Sequence, residues 1–283
     1  MPIFPARLRL LLVGLHLLFG ALQVAILFRH AGESLRQRLK QAWSRQLLCL
    51  LSIRIEPPGD ALSDMKHGLL VGNHISFIDV FVINALSPSA FVAKSEVAQW
   101  PLIGWLARHA GTVFIERGSR KAAHLTHRHM QQALAAGRRL AIFPEGTTTA
   151  GDGVLPFHGA LFQSAIDANV PVHAIAISYH GSDGTRSRAP AYIDDIGLLD
   201  CLTSVLQAGG LAARVTHATS ITPPLPDRRH LAHRAHQAVA AALSKAIDVV
   251  PAFSAQTGNP SNRRGNPFSP PSQPVRNQAA INQ

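Results

Sequence analysis

The sequence predicts an α/β protein with a largely parallel central sheet flanked by helices, preceded by an N-terminal membrane-associated helical segment. Short apolar runs suited to buried strands recur at 68–72, 90–93, 112–116, 139–143 and 171–178. Helix-like stretches at 76–86, 101–109, 119–136 and 159–168 separate them. Strands alternating with helices build parallel sheets, because each crossover needs a helix to carry the chain back. The third observation is the run Leu10 to Phe28, which holds no acidic or basic side chain apart from the titratable His16.

That run comes first in the chain. Its 19 residues span about 29 Å as a helix, just enough to cross a bilayer. His16 and Gln23 lie on one face, which asks for a neighbouring helix or the interface rather than lipid. No small-x-small site closes the run before Arg29, so a cleavable signal peptide is not expected. The basic cluster from Arg29 to Arg45 outweighs Arg7 and Arg9, and the positive-inside rule then places the carboxyl-terminal side, with the globular domain, on the cytoplasmic side of the inner membrane. Leu35, Leu39, Ala42, Trp43, Leu47, Leu50 and Leu51 continue at helical spacing with Arg36, Lys40 and Arg45 interleaved. This pattern predicts a second helix lying in the interface, its charges attracted to anionic headgroups.

Pro57-Pro58-Gly59 breaks the helical pattern. The expected organisation is an anchor and interfacial helix over 1–56, a globular domain over 57–253 and a tail over 254–283. The domain adds strand candidates at 190–194 and 212–218 and helices near 197–208 and 227–249. From Ser254 the chain turns to Pro, Asn, Gln and Ser, a composition expected to be disordered.

At 283 residues and 47% hydrophobic content, the chain can bury one sizeable core. The net charge of +11 is shared by proteins that bind phosphate backbones, but no nucleic-acid module or aromatic-basic platform accompanies it, so no nucleic-acid partner is expected. Cys49 and Cys201 are too far apart in sequence to suggest a zinc site or a disulfide framework, which fits a reducing compartment. His124, His127 and His129 fall on a polar, Arg-bearing helical stretch. They read as solvated residues, and no metal ligand set is expected.

The chemistry concentrates at Asn73-His74-Ile75-Ser76-Phe77-Ile78-Asp79, where the apolar run Gly68–Gly72 gives way to helical spacing. Asp79 would lie about one turn into that helix, within reach of the imidazole. A carboxylate accepting from one ring nitrogen raises the basicity of the other, which can then take a proton from a hydroxyl. The same residues also fit a capping box, with Ser76 as N-cap and Asp79 in the first turn. Asn73 could donate its amide to a loop or to a developing oxyanion, or simply turn the chain. Arg117 emerges at a strand end beside Gly118, and its planar fork suits phosphate. Gly146, in the turn Glu145-Gly146-Thr147, lets backbone N–H groups approach an anion or acceptor closely.

Three further blocks follow the first in order: Gly111-Thr112-Val113-Phe114-Ile115-Glu116-Arg117, Phe143-Pro144-Glu145-Gly146-Thr147, and Val170-Pro171-Val172-His173-Ala174-Ile175-Ala176. Together the four resemble the signature of the glycerolipid (PlsC-like) acyltransferases over about residues 68–180. The resemblance implies transfer of a fatty acyl group from acyl-CoA or acyl carrier protein to a lysolipid hydroxyl, with no other cofactor. It makes His74 the base and Asp79 its orienting partner. It gives Arg117 a headgroup role and matches Lys94 in context; with them Asn73, Glu145, Gly146 and Thr147 are expected at the acceptor, with membrane lipids as surroundings.

The fourth block is associated with donor or acceptor binding. No Gly-x-Ser-x-Gly elbow appears, so a serine hydrolase is disfavoured. Where the phosphatidate-forming pattern carries an arginine, this chain has Thr148. The first acceptor expected is 1-acylglycerol 3-phosphate, yielding phosphatidic acid. The alternatives are a lyso-ornithine lipid or, in another class, a non-catalytic membrane lipid-binding protein.

Overall fold

A computed structural model of the chain describes residues 5–56, 62, 65, 67–115 and 120–248. The Pro57-Pro58-Gly59 break, Glu116, Arg117 and the tail from Ser254 lie outside the described residues. Helix α1 (Ala6–Gln23) runs on through a π-helical turn at Val24–Phe28, and α2 (Glu33–Leu50) comes next. Then come β1 (Ile53–Glu56), β2 (Gly68–Gly72), α3 (Ile78–Leu86), β3 (Ala90–Lys94), α4 (Ile103–His109), β4 (Val113–Ile115) and α5 (Arg120–Ala135). The chain closes with β5 (Arg139–Ile142), α6 (Gln163–Asp167), β6 (Val172–His180), α7 (Leu198–Gln207), β7 (Leu211–Ile221) and α8 (Arg228–Asp248).

Among the described residues the strands form one sheet in the order β1-β7-β6-β2-β5-β3-β4. From β6 to β4 the neighbours run parallel; β7 turns antiparallel against β6 and carries β1 parallel to itself. Central β2 is buried at all five positions, as a strand covered on both faces must be. One face is covered by α1, α2, α3 and α7, and the other by α5, α6 and α8.

Three expectations need correction. The 190–194 stretch is not a strand: Pro190 has no N–H for a ladder, Asp194 sits at φ 55°, and Tyr192 N–H donates to Ile75 O at 2.9 Å outside the sheet. The boundary near residue 56 does not separate an anchor from the sheet, because Ile53–Glu56 already pairs with β7 and Leu47, Leu48 and Leu51 belong to the core. The charges of α2 are not simply turned to headgroups. Lys40 Nζ donates to Ser89 O at 2.9 Å and to Ala110 O at 3.3 Å, Gln41 Nε2 to Ala85 O at 3.0 Å, and Arg45 Nε to Ala85 O at 2.9 Å. Together they satisfy carbonyls left over at the end of α3, just beyond it, and at the end of α4.

Helix α1 shows why its polar residues are tolerated. Arg9, Val13, His16 and Gly20 form its buried stripe. Arg9 donates to Leu50 O at 2.8 and 2.9 Å, His16 Nε2 to Trp43 O at 3.0 Å, and Trp43 Nε1 back to His16 O at 3.1 Å. A Cβ at residue 20 would fall 2.5 Å from Trp43 Nε1, so only glycine fits that crossing. The opposite face exposes Leu11, Leu15, Leu18 and Leu22. Ala6–Phe28 is long and apolar enough to cross a membrane.

Candidate active site

Register brings the blocks to one rim. Val71 pairs with Ile142 and Gly72 with Ile175, so the residues just past β2 and β5 leave the sheet side by side. One pair further along, Lys94 ends β3 opposite Ile115 of β4, two residues before Arg117. Carboxyl ends of parallel strands are where open α/β sheets hold their ligands.

At the head of α3, His74 Nδ1 donates to Asp79 Oδ2 at 2.8 Å. The Asp79 side chain is completely buried, whereas His74 keeps 19% of its surface exposed. With Nδ1 committed to the carboxylate, Nε2 is the free basic nitrogen. Asp79 Oδ2 also accepts from Ile75 N–H at 2.7 Å and Ser76 N–H at 2.9 Å. The two readings of this segment therefore coexist, since Asp79 ties down the turn as a capping residue does and orients the histidine as well. Its second oxygen, Oδ1, accepts from the Tyr179 hydroxyl at 2.7 Å.

Two residues expected at the acceptor are engaged elsewhere. Asn73 is fully buried and bridges to β6, donating to Ile177 O at 2.9 Å and accepting from Ile177 N–H at 2.7 Å. It locks the end of β2 to its neighbour. Glu145 is buried and accepts from His74 N–H at 2.7 Å and Leu155 N–H at 2.8 Å. Burial pushes its carboxyl up, while the two N–H donors pull it down. One oxygen braces the histidine loop and the other the segment at Leu155. Gly146 sits at φ 70°, where a side chain would be strained, and its Cβ would stand 3.3 Å from the His158 ring. Lys94 and Thr147 are exposed at the rim.

Thr148 points away from any ligand role, its hydroxyl donating to Tyr192 O. Thr149 N–H donates to His74 O at 2.8 Å and Tyr192 N–H to Ile75 O at 2.9 Å, so this loop and the 190–194 segment together hold the carbonyls of His74 and of the residue after it. Of the three histidines on α5, His127 faces Asp167 at 3.0 Å across to α6. In the fourth block, Pro171 O accepts from Leu69 N–H at 3.0 Å at the strand entry, and the apolar residues beyond it are core.

Sequence reasoning missed three contributors. Phe143 has the pattern of a strand residue, yet its ring lies flat against the His74 imidazole with centroids 3.9 Å apart and planes 4° apart. Tyr179 and Tyr192 stand 100 and 44 residues from the side chains they meet, Asp79 and Thr148, and no local pattern announces such pairs.

A histidine held by a buried carboxylate at the rim of a parallel sheet, with Lys94 two strands away at the end of β3, is an arrangement that can take a proton from a bound hydroxyl. The chain belongs to the PlsC-type acyltransferase family. The family profile named Acyltransferase matches residues 54–178. A lyso-ornithine lipid O-acyltransferase of Pseudomonas aeruginosa is 40% identical over 84% of this chain and 95% of its own. A 1-acyl-sn-glycerol-3-phosphate acyltransferase of Neisseria meningitidis is 39% identical over 64% of this chain and 70% of its own. Among solved structures, the 1-acyl-sn-glycerophosphate (LPA) acyltransferase PlsC of Thermotoga maritima shares the fold, with a TM-score of 0.60 at 19% identity over 85% of this chain and 97% of its own.

Proposed function

We propose that this acyltransferase moves a fatty acyl group from an acyl-CoA or acyl-carrier-protein thioester to the free hydroxyl of a lysolipid held at a membrane surface. The observation that supports this most directly is the 2.8 Å contact between His74 Nδ1 and Asp79, which leaves Nε2 as a base at the rim. Nε2 takes the hydroxyl proton as the acceptor oxygen attacks the thioester carbonyl. The tetrahedral intermediate collapses, the C–S bond breaks, and the departing thiolate recovers a proton from the imidazolium. Asp79 steadies the positive ring throughout. Lys94 and Arg117 take the acceptor's anionic group.

The choice of acceptor turns on position 148. A threonine whose hydroxyl is spent on Tyr192 O offers no cation to a phosphate monoester, which favours a lyso-ornithine lipid, as does the relative in P. aeruginosa. The cations Lys94 and Arg117 support 1-acylglycerol 3-phosphate as the second reading, shared with the relative in N. meningitidis.

The test is to incubate membranes containing the chain with labelled acyl-CoA or acyl carrier protein and each lysolipid in turn. Label entering the ornithine lipid in preference to phosphatidic acid is the expected result. The reverse preference selects the second reading, and no labelled lipid with any acceptor overturns acyl transfer.

A further inference from the structure

The carboxylate behind His74 is supported from a strand outside its own block. Tyr179 lies on β6, 1% exposed, and its hydroxyl reaches Asp79 Oδ1 at 2.7 Å. Asp79 thereby accepts four hydrogen bonds: three on Oδ2, from His74, Ile75 and Ser76, and this one on Oδ1. A carboxylate offers about four lone-pair sites in all. With Oδ2 crowded, the donor on Oδ1 fixes how the carboxylate is rotated and how much negative charge is left for the imidazole.

We infer that Tyr179 is a positioning residue for the acyl-transfer reaction, holding Asp79 in the plane that serves His74 and moderating the base's proton affinity. The inference rests on the reading of His74 as the base. Burial, followed by the Asp79 charge, holds the phenol well above the ordinary tyrosine range, so it remains a donor throughout the working pH range. The other titratable groups turned towards the dyad are Glu145 from the turn after β5 and Cys201 from α7. Among these groups, only the Tyr179 hydroxyl donates to Asp79 Oδ1.

A buried tyrosine hydroxyl needs a partner in any case, so loss of activity alone does not separate positioning from packing. Tyr179→Phe keeps the ring and removes one donor. In the full-length enzyme in membranes, kcat should fall about tenfold with the lysolipid KM unchanged, as expected for a lost bond to a charged group. Asp79, relieved of that donor, should attract the imidazolium more strongly. The acidic limb of the kcat/KM profile, where His74 gains its proton, should then move to higher pH by about half a unit or more. Ile177→Val on the same strand serves as a packing control and should leave that limb in place.

An unshifted limb in Tyr179→Phe, with or without a lower kcat, overturns the inference. Substantial turnover in His74→Ala overturns the base reading and the inference with it. An inactive His74→Ala enzyme beside an unshifted Tyr179→Phe enzyme overturns the role of Tyr179 alone.

Discussion

The imidazole of His74 lies flat on the ring of Phe143, 3.9 Å between centroids. Phe143 comes just after β5 and His74 just after β2, so the stack joins two neighbouring strand ends and confines the base to one plane. Asp79 sets the ring's direction and Phe143 its tilt. Phe143→Ala should lower kcat about two- to tenfold, matching the worth of an aromatic pair, and leave both substrates' KM values nearly unchanged. Steady-state kinetics with acceptor and donor varied separately checks it.

His74→Ala should nearly abolish transfer, and adding Asp79→Ala should cost little more activity because the two act as a unit. Stability should separate them. Removing Asp79 leaves the N–H groups of Ile75 and Ser76 and the Tyr179 hydroxyl without their acceptor, a loss of roughly 1–3 kcal/mol or more. Thermal melts should show Asp79→Ala well below His74→Ala, and equal melting points would contradict the capping role.

Arg117→Ala should lower kcat/KM for the lysolipid roughly ten- to hundredfold, the worth of a charge-assisted contact to phosphate or carboxylate, with the donor's KM barely moved. Lysine should restore only part of this, because a point charge lacks the fork. Lys94→Ala should cost less, since Lys94 is exposed. A defect confined to the donor would move both residues to the thioester carrier's side.

Lys40, held between Ser89 O and Ala110 O, has its ammonium pushed by burial from 10.5 down to about 8. Below that range the folded and unfolded chains both hold the proton. Between the two values only the unfolded chain does, so stability contributed through Lys40 rises with pH across this window. Relative to Lys40→Met, the native chain should gain roughly 1–3 kcal/mol from pH 8 to 10.5, within reach of paired melts at several pH values. A constant gap would place the lysine in water.

Much of this is legible in the sequence because it is local. The strands of the parallel half announce themselves as apolar runs, and His74 and Asp79 sit close enough in sequence for helix geometry to join them. The turn at Gly146 is readable for the same reason. The hidden part depends on segments far apart. Nothing near Glu145 shows that its oxygens will be taken by His74 and Leu155, and nothing near Asn73 names Ile177. The short edge strand β1 escapes notice because Ile53-Arg54-Ile55-Glu56 trails a helix and carries two charges. The 190–194 stretch misleads because Ala-Tyr-Ile has strand composition but sits behind a proline.

The position of β2 has a consequence for how the protein comes into being. Leu69 pairs with Leu140 on one side and Val172 on the other, so the central strand waits for partners roughly 70 and 100 residues further along. Contacts of such separation close large loops and form late. During synthesis the two N-terminal helices leave the ribosome long before β6 does, and until then His74 and Asp79 lack the strand that carries Tyr179. The first two helices are thus complete well before the His74–Asp79 pair gains its Tyr179 contact, which forms only once β6 has docked.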